Sequence, residues 1–228
     1  AVSKVLKMVD IKAKGRECTV LYPEAGPTKR CLVVGLGKRA DFNAQRAMEA
    51  AAVASRRAQG LGLSRLSFVL PPGAAKDPAL VEGAAQGAKL GTYSFDRFKE
   101  KSPNGRARLG SFTLAASEAP ASAAESARTG QVIGDAVAFV RDLSTLPSNY
   151  KTPTMIAEQA KRMARETGLS CRVLVKAEMG RLGMEAVLGV ARGAAEPPAF
   201  IILEHKPRRA RARGPVVIVG KGITFDTG

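Results

Sequence analysis

The chain has 228 residues, 45% of them apolar, and 36 lysines and arginines against 20 aspartates and glutamates give a formal net charge of +16. That length holds two modest domains, each with a core of its own. No run of 18 apolar residues is present to cross a membrane and the opening AVSKVLKMVD lacks a signal-peptide stretch, so a cytoplasmic protein with no membrane partner is expected.

Short apolar runs alternate with longer helical patterns, which predicts an α/β architecture. Strands are expected at 17–22, 30–35, 66–70 and 109–115, with a helix from 42 to about 59 between the second and third. Asp77 and Pro78 supply an N-cap and a first-turn proline for a helix running towards Leu90. The Ala/Ser-rich stretch 115–126 has no apolar periodicity and marks the end of the first domain. A long helix from about 124 to 143 leads out of it. The expected organisation is an N-terminal α/β domain over 1–120, a linker helix over 121–147 and a second domain over 148–228.

The second domain restarts at Thr152-Pro153, again a cap and a first-turn proline, and Ile156, Ala160 and Met163 follow at i, i+4 and i+7. Gly168 is placed to end that helix. A strand at 171–176, a helical stretch over 177–191, and strands at 200–204 and 216–220 complete the reading. The last strand runs directly into Lys221. A buried lysine is costly unless its amine meets a carboxylate or loses its proton, and Asp226 stands five residues on. The pair is either a structural ion pair or part of a site at the C-terminal end of a central strand, where α/β sheets place their chemistry.

Other motifs carry less. Gly35-Leu36-Gly37 follows an apolar strand as a dinucleotide-binding turn does, but Ala40 occupies the third glycine position and no acidic residue lies in 54–59. Gly214 to Gly220-Lys221-Gly222 has five residues between the glycines and no hydroxyl after the lysine, which excludes a phosphate-binding loop. His205 is the only histidine and no serine stands in a nucleophile-elbow pattern, which argues against triad catalysis. Cys18, Cys31 and Cys171 are odd in number and far apart, and read as buried thiols in a reducing compartment. Lys206, Arg208, Arg209, Arg211 and Arg213 form the densest basic cluster, expected as a solvated loop; nucleic acid or another polyanion is the competing partner for the surplus charge.

The segment VGKGITFDTG, residues 219–228, is similar almost residue for residue to the metal-binding signature of the leucyl, or cytosol, aminopeptidases. Arg141-Asp142-Leu143 with Pro147 and Asn149, Leu182-Gly183-Met184, Val190 to Gly193 and Pro197-Pro198 resemble that family in order and spacing. Val81 to Gly83, Leu90-Gly91 and Tyr93 to Lys99 resemble its N-terminal domain. Thr145 and Ala194 depart from it, standing where the family usually has asparagine and serine.

The resemblance implies an N-terminal α/β domain of the macro-domain kind, a linker helix, and the first β/α units of a metallo-aminopeptidase catalytic domain. It also implies two divalent ions, manganese or zinc, with Lys221 as a neutral amine ligand and Asp226 as a bridging carboxylate. A peptide with a free N-terminus is the implied substrate and a homo-hexamer the implied assembly. The family's other acidic ligands, its second active-site lysine and its arginine match no position up to Gly228. Two ligands cannot build a two-metal site, so this polypeptide by itself is expected to be inactive.

Overall fold

The computed structural model describes residues 11–100, 108–207 and 214–224. Its α/β content divides into two compact units, Ala1–Ser144 and Thr145–Gly228.

The first unit opens with β1 (Cys18–Leu21) and β2 (Cys31–Val34), paired antiparallel so that Cys18 faces Val34 and Leu21 faces Cys31. Helix α1 (Ala44–Gly60) follows, capped by the Asn43 side chain, which accepts from the Arg46 amide at 3.1 Å. Strand β3 (Arg65–Val69) leads into α2 (Pro78–Gly91), where Asp77 caps the Ala79 amide at 2.9 Å and Pro78 fills the first turn. Strand β4 (Ser111–Ala115) then lies parallel to β3, Arg65 facing Ser111 and Val69 facing Ala115, with α2 in the crossover between them.

The core of this unit is built from small residues. Ala47 and Ala51 of α1 meet Leu70, Ala74, Ala75, Leu80, Val81 and Ala84, and the Phe68 and Phe112 rings stack at its edge with centroids 5.8 Å apart. Gly83, Gly87 and Gly91, one helical turn apart on α2, face Ala44, Met48 and Ala52 at the same spacing on α1. A Cβ at Gly87 would run into the Met48 carbonyl oxygen, so the two helices touch backbone to backbone.

Helix α3 (Ala123–Thr145) was expected as a linker, and it packs on α2. A Cβ at Gly130 would strike the Glu82 carbonyl, and Ala127 reaches the core. Lys89 pairs with Asp135 at 2.6 Å, the Tyr93 hydroxyl donates to Asp142 at 2.9 Å, and the Arg141 guanidinium lies 5.5 Å from the Tyr93 ring centre. Contacts group this helix with the first unit up to Ser144.

The second unit begins with α4 (Pro153–Thr167), capped by Thr152, whose hydroxyl accepts from the Met155 amide at 3.2 Å. Gly168 ends it in the left-handed region at φ +74°, a conformation that favours glycine. Ala157, Ala160 and Ala164 are its buried residues. Helix α4 packs on β5 (Ser170–Leu174) and β6 (Phe200–Glu204), which pair antiparallel with Ser170 facing Glu204. The helical stretch expected over 177–191 is two short helices, α5 (Lys176–Arg181) and α6 (Glu185–Val190), separated at Gly183 with φ +71°.

One expected element is absent. Residues 216–220 form no strand: Val216, Val217, Ile218 and Val219 are 85, 75, 92 and 86% exposed. A strand exists through its hydrogen-bonded neighbour, and β5 and β6 pair only with each other among the described residues.

Candidate metal centre

Lys221 follows this exposed run and is itself exposed, as are Gly220 and Gly222. The expectation of a buried strand leading into the lysine is therefore corrected for the described residues: 216–220 join no sheet there and Lys221 is exposed. Asp226, the other expected ligand, lies outside the described residues. Among the described residues no three His, Cys, Asp or Glu side chains gather where they could hold a metal ion. Of the two implied ligands only Lys221 lies among the described residues, so no catalytic step is assigned to them.

The titratable groups that depart from their ordinary behaviour lie elsewhere, and the carboxylates among them are held by hydrogen bonds and ion pairs. Glu49 on α1 accepts from Arg16 at 2.6 Å, Arg46 at 3.0 Å and Gln45 at 3.1 Å. The Arg16 hydrogen bond, followed by that of Gln45, holds its carboxyl down at about 2 from an ordinary 4.5. Arg16 carries φ +70° and its amide donates to the Gly35 carbonyl at 3.2 Å, so this cluster pins the turn before β1 against β2 and α1. On α5, the Glu178 carboxyl is lowered by the Val175 amide and then by Arg172. These are surface clamps, not a reaction centre.

Sequence spacing reveals Gln45, Arg46 and Glu49 as neighbours on one helix face, but Arg16, 33 residues from Glu49, becomes a partner only through the fold. His205 is exposed. The three cysteines, expected buried, are half-buried free thiols, and burial pushes the Cys18 thiol up. Gly35-Leu36-Gly37 serves the strand-end turn: the Gly37 amide donates to Ala13 at 3.1 Å, and a Cβ at Gly35 would collide with the Lys14 carbonyl. No helix among the described residues is long and apolar enough to cross a membrane.

Comparison with known proteins supplies what the local geometry does not. Residues 1–102 match the model of the cytosol aminopeptidase family, N-terminal domain, and residues 138–228 match that family's catalytic domain. A probable cytosol aminopeptidase of Geobacter sp. (strain M21) is 39% identical over 89% of this chain and 41% of its own length. One of Dechloromonas aromatica (strain RCB) is 35% identical over 100% of this chain and 47% of its own. The chain thus spans less than half the length of these relatives. Among solved structures, a bottromycin maturation enzyme in complex with Mn superposes with a TM-score of 0.75 at 25% identity, over 91% of this chain and 42% of that one. A tomato leucine aminopeptidase mutant shares the fold, with a TM-score of 0.76 at 22% identity over 88% of this chain and 41% of its own.

Proposed function

The chain belongs to the cytosol aminopeptidase family, and on that premise we propose that it is part of a two-metal aminopeptidase releasing N-terminal residues such as leucine from peptides. The observation that carries the proposal is the catalytic-domain match over 138–228, which includes both Lys221 and Asp226. The manganese bound by a structural neighbour supports divalent ions as the cofactor, with zinc the other candidate. Lys221 and Asp226 are the proposed ligands; a cytoplasmic location and a hexameric assembly belong to the same proposal. The 228 residues by themselves are proposed to be inactive, because Lys221 and Asp226 are two ligands and two ligands cannot build a two-metal site.

The experiment is a chimera joining residues 1–228 to the length of the Dechloromonas aromatica relative that lies outside the matched region. With Mn²⁺ it should release leucine from a leucyl anilide, and Lys221→Met or Asp226→Asn should abolish that release. A chimera that folds, as judged by circular dichroism, yet releases no leucine overturns the proposal. The net charge of +16 favours one second reading, polyanion binding without catalysis. Retention on DNA that falls steeply with salt would support it, and no retention even at low salt would remove it.

A further inference from the structure

The turn before β1 gathers cations from three parts of the first unit. The Gly37 amide donates to the Ala13 carbonyl at 3.1 Å and the Arg16 amide to the Gly35 carbonyl at 3.2 Å, so 12–16 lies beside 35–39. Ala13 and Arg16 hold the left-handed region at φ +50° and +70°, a conformation costly outside glycine that these hydrogen bonds sustain. Helix α1 continues the surface, for a Cβ at Gly15 would stand 3.3 Å from the Arg46 guanidinium. Arg57 is three turns further along the same helix face, roughly 16 Å away. Segments 12–17 and 35–60 together hold eight lysines and arginines against three carboxylates. Two of those carboxylates are already engaged: Glu49 pairs with Arg16 and Arg46, and Glu17 accepts from the Lys14 amide at 3.1 Å. Lys12, Lys14, Lys38, Arg39, Arg56 and Arg57 are exposed, and no carboxylate among the described residues pairs with them.

We infer that this band, from Lys12, Lys14 and Lys38 along α1 to Arg57, is a binding surface for a linear polyphosphate, an anion recognised by charge alone. Its length favours a chain over a compact anion, since a single phosphate meets only one end of it. Its chemistry favours a chain without bases. Readers of nucleic acid stack rings on bases or bond their edges, and neither means is free here. Phe42, the one aromatic residue in the two segments, packs against the core. The Asn43 side chain accepts from the Arg46 amide and the Gln45 amide donates to Glu49. What remains is a row of cations, which gains most from the polymer that carries a negative charge on every phosphate with no sugar or base between. The inference rests on the polyanion half of the second reading and is independent of catalysis.

The test uses the 228-residue chain and short-chain polyphosphate, with single-stranded DNA at matched phosphate concentration as the competitor. Polyphosphate should bind with a steep salt dependence and DNA more weakly. The double variant Lys14→Glu with Lys38→Glu should weaken polyphosphate binding by at least ~10-fold and lower the salt slope by about two contacts. Lys29→Glu with Arg128→Glu removes the same charge from exposed positions outside the band and should change affinity far less. Circular dichroism of both variants matching the parent shows that the comparison is between folded chains. Equal weakening by the two pairs overturns the inference, because the binding is then diffuse attraction to the whole surface. DNA binding as tight as polyphosphate, lost only in the first pair, keeps the polyanion reading and sinks the polyphosphate assignment. Binding of neither polymer at low salt removes both.

Discussion

The Tyr93 hydroxyl donates to the Asp142 carboxylate across 49 residues of sequence, at 2.9 Å, and so fastens the turn after α2 to the C-terminal end of α3. Arg141 lies against the same ring. Tyr93→Phe keeps the ring and removes only the hydrogen bond, so the expected loss is about 1 kcal/mol of stability in urea titration. An unchanged midpoint would mean that α3 is held by its glycine contacts and Lys89–Asp135 without this bond.

Glycines of opposite consequence occur on α2 and α6. Gly87→Ala drives a methyl into the Met48 carbonyl and should destabilise by roughly 1–3 kcal/mol. Gly189→Ala, with nothing within 4 Å of the new Cβ, should stabilise by up to about 1 kcal/mol through helix propensity. Thermal denaturation of the two variants should move in opposite directions, and a shared direction would contradict the backbone contact between α1 and α2.

Glu49 predicts an acid response with a definite sign. Its carboxyl is held at about 2 in the fold against an ordinary 4.5, so the folded state favours the ionised form. The stability this contributes is fully present above pH 4.5 and is lost as pH falls towards 2. Glu49→Gln should flatten the stability profile in that window, read as urea midpoints at stepped pH. A profile as steep as that of the parent would assign the acid response to other carboxylates.

The Ser55 hydroxyl is fully buried on α1 and finds no hydrogen-bond partner among the described residues. Removing an unsatisfied buried hydroxyl from a helix relieves its desolvation and favours the helix, so Ser55→Ala should stabilise by about 1 kcal/mol. A destabilised variant in chemical denaturation would show that the oxygen is satisfied in solution.

Metal binding gives the last prediction. Titrating Mn²⁺ into the 228-residue chain should give no saturable heat below roughly millimolar concentration, since the two proposed ligands, Lys221 and Asp226, do not complete a site. Tight stoichiometric binding would reveal a site beyond the described side chains.

Much of the fold was legible because its signals are local. Asp77-Pro78, Thr152-Pro153 and Gly168 fix helix ends through side-chain caps and φ preference, and the structure has them in those roles. The packing of α3 on α2 was not legible, since Gly130 reads as a weak helix residue until Glu82 is found beneath it. The 216–220 segment shows the complementary limit. Its composition specifies a strand correctly as a preference, but a preference becomes a strand only beside a partner, and the described residues provide none. For the candidate site, the residue types Lys221 and Asp226 were readable while their environment was not, because burial is a property of neighbours.

Five of the eight residues in the first unit's central cluster are alanines, and α1 meets α2 through glycines. Such an interface has no side-chain volume to trade: enlarging one partner cannot be compensated by trimming the other when the other is already backbone. Deep mutational scanning should therefore find positions 83, 87 and 91 nearly invariant while the solvent-facing flanks of the same helices drift freely. This domain can diversify only at its periphery, with the spacing between its two central helices held as a fixed inheritance.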